Sequence, residues 1–304
     1  MRRAGDRVSC RSYHFLAPCF PAARVSSDGL PCSIPAYIGQ SHPTPNPGEC
    51  PIAPPNRPPP REFEVLSRHN VSPNLLRITL GGPAMAHFPD GQEGGYLKLH
   101  LPLADGKVAV RTYTIRAQRR DGLDIDFALH AETATGHAGP ATDWAMTVAP
   151  GARVKVSGPG PAKPLVEGHD FYMVAGDMTA LPAISVNLAA LPADARGLAV
   201  IEVMDDADAQ DLVKPDGVEI QWLVVPQPGS QPEALAQRLQ AREWPQGSVY
   251  AWSASEFTAM KALRKYLRED RELGPDRLYI SSYWKCGLTE EDHKRIKRED
   301  ADAQ

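Results

Sequence analysis

The chain lacks any apolar run near the roughly 18 residues that a membrane-spanning helix needs, so its 304 residues read as a globular chain. It also lacks an excess of basic charge. Against 33 Lys and Arg stand 37 Asp and Glu, a net charge of −4, which argues against a nucleic-acid-binding surface. C-x-x-C pairs and His/Cys runs with zinc spacing are missing. Four of the five cysteines (Cys10, Cys19, Cys32, Cys50) crowd the first fifty residues, and Cys286 stands near the end. Reduced cysteines in an extended arm explain the first four more simply than exported disulfides do. The N-terminus makes a poor signal peptide, because Arg11 and His14 interrupt its apolar stretch and Pro18 and Pro21 break it. A cytoplasmic protein is expected, without nucleic-acid partner or membrane insertion, and as a monomer.

Composition divides the chain. Residues 1–60 hold thirteen of its thirty prolines. Proline removes a backbone donor and blocks helix interiors, so this segment is expected to be a disordered arm. Residues 61–165 alternate apolar and polar side chains in short runs. Examples are Leu76, Ile78 and Leu80, then Leu97, Leu99 and Leu101, then the strict alternation of residues 123–130. About six strands separated by turn signals predict a small antiparallel β-barrel. Residues 166–288 change rhythm, with strands expected at 171–175, 198–204, 218–225, 249–253 and 277–281. Helices are expected at 181–191, 232–242 and 256–272, the last opening on a Ser253-x-x-Glu256 capping box. That alternation predicts a parallel α/β sheet. Residues 289–304 predict a polar helix from 290 to 300, capped by Thr289, lying on the surface, on a partner or as a solvated tail.

Two segments carry the chemistry. Arg111-Thr112-Tyr113-Thr114 sets a cation, an aromatic ring and hydroxyls on one strand. Gly139-Pro140-Ala141-Thr142 opens a helix that runs through Trp144. A flavin dinucleotide needs a cation and backbone N–H groups for its pyrophosphate, and a flat partner for its isoalloxazine. Alone, R-x-Y-T is weak, and a surface salt bridge for Arg111 or ordinary core for Trp144 is the plainer alternative. In the second half, Gly176-Asp177-Met178-Thr179 ends a buried strand where open α/β sheets bind ligands, although G-x-G-x-x-G is missing. Asp177 and Thr179 could contact a nucleotide or merely cap the following helix. Asp205 closes the next strand, where an acid suits ribose hydroxyls and mildly favours NADH over NADPH.

These segments, with Asp177-Met178-Thr179-Ala180-Leu181-Pro182 and Tyr283-Trp284-Lys285-Cys286-Gly287-Leu288-Thr289, resemble the siderophore-interacting proteins, a branch of the ferredoxin-reductase-like flavoproteins. The resemblance implies a flavin-binding barrel followed by a nicotinamide-binding-like domain, and a reductase of ferric siderophores that carries FAD. Carried over, Arg111, Tyr113, Thr114, His130, Gly139, Pro140, Ala141, Thr142 and Trp144 would hold the flavin, with Asp177, Thr179 and Ala180 beside it. Gly176, Asp205, Ser253, Glu256 and Trp284 are the nicotinamide-side candidates. Electrons would come from NADH, NADPH or a ferredoxin.

Ferric siderophores are often anionic, so an acidic protein needs a local basic pocket. Lys98, Lys285, Lys163 and Arg264 are the candidates, each with a solvated surface cation as its plainer reading. No catalytic acid, nucleophile or metal ligand is expected. A general NAD(P)H-dependent flavin reductase, or a siderophore carrier without turnover, are the rival readings.

Overall fold

The computed structural model describes residues 58–103, 105–129 and 139–303. The proline-rich arm up to residue 57 and His130 lie outside the described residues. Asn56–Gln304 groups as one unit.

Six strands form the first layer: β1 (Arg61–Ser72), β2 (Leu75–Gly81), β3 (Tyr96–Pro102), β4 (Val108–Arg119), β5 (Gly122–Ala128) and β6 (Arg153–Gly160). They close into an antiparallel barrel in the order β1-β2-β5-β4-β3-β6. The alternation is the cause. Phe63, Val65, Ile78, Leu97, Leu99, Ile115, Leu123 and Ile125 point inward and form one buried core. The other face of β5 departs from the expected pattern. Asp124 and Asp126 are buried instead of solvated. Arg77 holds Asp126 in a two-pronged bond at 2.6 and 2.8 Å. Arg119 does the same for Asp124 at 2.6 and 2.7 Å, joined by Thr79 at 2.8 Å. Burial pushes the Asp124 carboxyl up, but the hydrogen bonds from Arg119 and Thr79 outweigh it and hold it below the ordinary range. β6 carries the strand into the Gly158-Pro159-Gly160-Pro161 run, as far as Gly160.

Helix α1 (Pro140–Thr147) lies between β5 and β6. The second layer then begins with β7 (Phe171–Gly176), α2 (Leu181–Ala189), β8 (Gly197–Val203), β9 (Val218–Val224), α3 (Ala234–Gln240), β10 (Val249–Glu256), α4 (Phe257–Arg264) and β11 (Leu278–Trp284). All five strands are parallel, in the order β11-β10-β7-β8-β9. β7 is apolar on both faces, and it is central. Tyr172 and Val174 join the core on the α2 side, and Phe171, Met173 and Ala175 the core on the α3–α4 side. The helix expected over 256–272 is α4 continued by a wider-wound turn at Lys265–Asp270.

The capping box is corrected. Ser253 is a fully buried strand residue, and Glu256 itself caps α4, accepting from Thr258 and Ala259. The last helix, α5 (Glu290–Asp302), starts on Thr289, whose hydroxyl accepts from the Asp292 N–H at 3.2 Å. It is not a free tail. His293 is buried and meets Ser282 Oγ at 2.9 Å, and Lys297 donates to Ser281 Oγ at 2.7 Å and to the Ser282 carbonyl at 2.8 Å.

Candidate functional site

A cavity of about 930 Å³ opens where the barrel faces the carboxyl edge of the sheet, with α5 along one side. That is near the upper end of the roughly 300–1,000 Å³ typical of small-molecule sites. On the barrel side β4 supplies Arg111, Thr112, Tyr113 and Thr114, and the start of α1 supplies Gly139, Pro140, Ala141 and Thr142. The structure thus brings together the two segments that the sequence singles out. Tyr113 packs against Phe127, ring centres 4.2 Å apart and planes tilted by 38°, and burial pushes its hydroxyl up beyond the ordinary range. Trp144 backs this pair, 5.8 Å from Phe127, on the core side of α1 and away from the cavity.

Among the described residues no side chain caps the start of α1: Gly139 offers none and Pro140 occupies the first turn, a geometry in which the following N–H groups can meet an anion. The Arg111 guanidinium stands 3.6 Å from Glu291 and 3.8 Å from Glu290. Glu290 also accepts from Thr112 Oγ1 at 3.3 Å and pairs with Lys294 at 2.7 Å. A helix start without a capping side chain, a guanidinium on the same cavity and an aromatic ring are the kinds of group that a flavin dinucleotide requires, and these residues could hold one.

The sheet side is built differently. Thr179, Trp284, Lys285 and Lys163 line the cavity. Asp177 and Glu256 lie behind them, buried. Asp177 accepts from Trp284 Nε1 at 2.8 Å, from the Thr179 N–H and hydroxyl at 2.9 and 2.5 Å, and from the Glu256 N–H at 2.8 Å. Burial pushes its carboxyl up while these bonds pull the other way. Glu256 binds Lys285 Nζ at 2.9 Å. Burial and the neighbouring Asp177 and Glu256 charges push Glu202, on β8, up to about 8.

The remaining candidates stand off the cavity. Ala180 is wholly buried at the start of α2. Gly176 serves packing: a Cβ there would sit 2.6 Å from the Ala254 carbonyl and 2.9 Å from Ala180. Ser253 alternates with Trp252, which lines the cavity, and so turns to the opposite face. Asp205 caps the short turn after β8, accepting from the Ala207 N–H at 2.9 Å. Lys98 is half-buried on β3, opposite Thr112 and Ser157. Arg264 pairs with Asp300 at 2.5 and 2.8 Å, joining α4 to α5.

Sequence reasoning missed the wall made by α5. Glu290, His293, Lys294 and Lys297 all line the cavity. The spacing Glu290–Lys294 and His293–Lys297 was the available signal, two i,i+4 pairs on adjoining rows of one helix. Burial, then the Lys297 charge, lowers His293 to about 4, so the docked imidazole is neutral. Among the described residues no helix is long and apolar enough to cross a membrane.

Comparison with known proteins follows this division. Residues 169–287 match the family described as siderophore-interacting protein, and residues 64–110 and 104–163 match the siderophore-interacting FAD-binding domain. Ferric vibriobactin reductase of Vibrio cholerae is 35% identical over 254 residues, 76% of this chain and 92% of its own. The NADPH-dependent ferric-chelate reductase of Escherichia coli is 26% identical over 246 residues, 74% of this chain and 92% of its own. The crystal structure of the siderophore-interacting protein from Aeromonas hydrophila superposes with a TM-score of 0.70 at 34% identity, covering 80% of this chain and 98% of that one.

Proposed function

The chain belongs to the siderophore-interacting protein family, and on that premise we propose that it is an FAD-dependent reductase that releases iron from ferric siderophores, with NADH or NADPH as electron donor. The observation that carries this reading is the single cavity shared by R-x-Y-T, the open start of α1 and the carboxyl edge of the parallel sheet. Bound FAD would supply hydride acceptance and single-electron delivery, which links a two-electron donor to one-electron iron.

The chain's own residues bind and orient. Arg111 and the N–H groups of α1 take the pyrophosphate. Tyr113, stiffened by Phe127, backs the ring system. Trp284 forms the facing wall. No side chain need transfer a group in this chemistry. Anionic chelates are drawn by lysines at its edge. Lys163 is the best placed of those read from sequence, because its ammonium has no partner among the described residues while its carbonyl is pinned by Asn187 and Trp252. Reduction weakens the hold of hard oxygen donors on iron, and the metal leaves.

The test is anaerobic mixing of the purified, FAD-loaded protein with NADH or NADPH, a ferrous-specific trap and a panel of ferric siderophores. Iron release above the enzyme-free rate is expected. Reduced flavin with no chelate yielding iron would favour a general flavin reductase.

A further inference from the structure

Asp177 and Glu256 sit at the point where the order of the parallel sheet reverses, Asp177 directly after β7 and Glu256 at the end of β10. Ligands of open α/β sheets bind at such a point, and the sequence offers both acids as nucleotide-contact candidates, with helix capping as the alternative for each. Their hydrogen bonds argue against nucleotide contact. A carboxylate has about four acceptor positions, two on each oxygen. Asp177 Oδ1 accepts from the Thr179 N–H and hydroxyl, and Oδ2 from the Glu256 N–H and Trp284 Nε1. Glu256 Oε1 accepts from Lys285 Nζ at 2.9 Å and the Cys286 N–H at 3.2 Å, and Oε2 from the Thr258 and Ala259 N–H groups. Both acids are filled by the protein itself. Each grips one of two consecutive side chains on the cavity wall.

We propose that Asp177 and Glu256 are positioning residues that act through Trp284 and Lys285: Asp177 fixes the plane of the indole, and Glu256 anchors the ammonium. The inference deepens the reductase reading and rests on it for the identity of what Trp284 faces. Both acids come from strand ends in the rigid sheet, whereas Trp284 and Lys285 stand where β11 gives way to the turn at Gly287. Without a fixed partner an indole there would sample several rotamers. A hydrogen bond to a charged acceptor restricts it to the one that faces the cavity. Lys285 loses its freedom in the same way, since its charge is matched by Glu256 and it also donates to Thr258 Oγ1 at 2.8 Å. Capture of anionic chelates therefore falls to cations such as Lys163 and Lys297, which lack acidic partners among the described residues.

The test is a double-mutant cycle on the FAD-loaded protein. Asp177→Asn and Trp284→Phe are each expected to slow flavin reduction by about tenfold, and the double variant no further, because both remove one contact. Flavin emission should change equally in the three variants. A multiplied loss in the double variant, of about a hundredfold, would overturn the proposal. Should Asp177→Asn not fold, the unmodified protein decides. The indole proton of Trp284, assigned by its absence in Trp284→Phe, should exchange slowly with solvent, and fast exchange sinks the clamp. If neither nucleotide reduces the unmodified protein, the donor reading fails by itself, while emission and exchange still decide the clamp.

Discussion

Helices α1 and α4 both start at the inner side of the molecule with orphan N–H groups, and they treat them in opposite ways. At α4 the chain fills the start from within, as the Glu256 carboxylate folds onto Thr258 and Ala259. At α1, among the described residues, no side chain fills the start, and Gly139 stands ahead of Pro140. The same electrostatics serves two ends. Internal filling turns a helix start into an anchor for wall residues. A start without such a cap, on the same cavity as a guanidinium, would suit a phosphate under the proposed reading. An acid near a predicted ligand site is thus no guide to binding until its acceptor positions are accounted for.

The largest effect should come from emptying the filled start. Glu256→Ala leaves Lys285 without its carboxylate, strips the cap from α4 and frees the Cys286 N–H. A loss of about 3 kcal/mol in unfolding free energy is expected by denaturant titration. A loss under about 0.5 kcal/mol, the scale of an ordinary surface change, would mean that the start of α4 does not anchor the wall. Next in size is the open start. Arg111→Ala should weaken FAD binding by roughly 10–100-fold in a fluorescence titration, the worth of one charge-assisted contact, with the thermal midpoint of the apoprotein little changed. An unchanged affinity would break the comparison at its other end.

The division into barrel and parallel sheet was legible because alternation of period two and buried apolar runs are local properties. The barrel-side wall of the cavity was legible for the same reason, since Arg111 and Tyr113 share a strand and Gly139 to Thr142 are contiguous. The sheet-side wall was not. Whether Glu256 contacts a nucleotide or is filled by the protein depends on Lys285 and Cys286, which follow β11, and no local pattern encodes that. Ser253 shows the cost: its spacing to Glu256 fits a capping box, yet the strand continues through it and turns it away. α5 was misplaced because a helix with one buried side chain, His293, carries almost no hydrophobic stripe. It is docked by polar contacts that a hydropathy pattern does not register.

Two titrations sharpen the contrast at intermediate size. Glu202 is held at about 8, against 4.5 in its ordinary state, so the folded protein keeps a proton that the unfolded chain has lost. Its cost grows as pH rises from 4.5 and levels off above 8. Glu202→Gln should therefore stabilise the protein by about 1–2 kcal/mol at mildly alkaline pH and not at acid pH. His293 has the opposite sign. Its folded value is lowered to about 4 from 6.5, so the unfolded chain takes up the proton first and stability falls as pH drops through that window. His293→Gln should flatten the fall by about 1 kcal/mol, and thermal midpoints across pH 4 to 7 would reveal it.

The smallest expected effect tests whether the open start is wholly open. Glu290 and Glu291, at the start of α5, face the guanidinium of Arg111 at 3.8 and 3.6 Å. At those distances the pairs are loose, and Glu291 is largely exposed, so each contributes little. They are nonetheless anions beside the guanidinium that, in the proposed reading, takes a phosphate. Glu290 is the better placed, because Thr112 and Lys294 also converge on it. A ligand phosphate must compete with it or share its donors. Glu290→Gln removes the charge and keeps the oxygen that Thr112 contacts, so FAD affinity should rise about two- to fivefold at low salt, and the gain should shrink as salt screens the competing carboxylate. A fall in affinity would mean that Glu290 orients Arg111 for the phosphate instead of opposing it, and would assign α1 and α5 to one cooperating anion site.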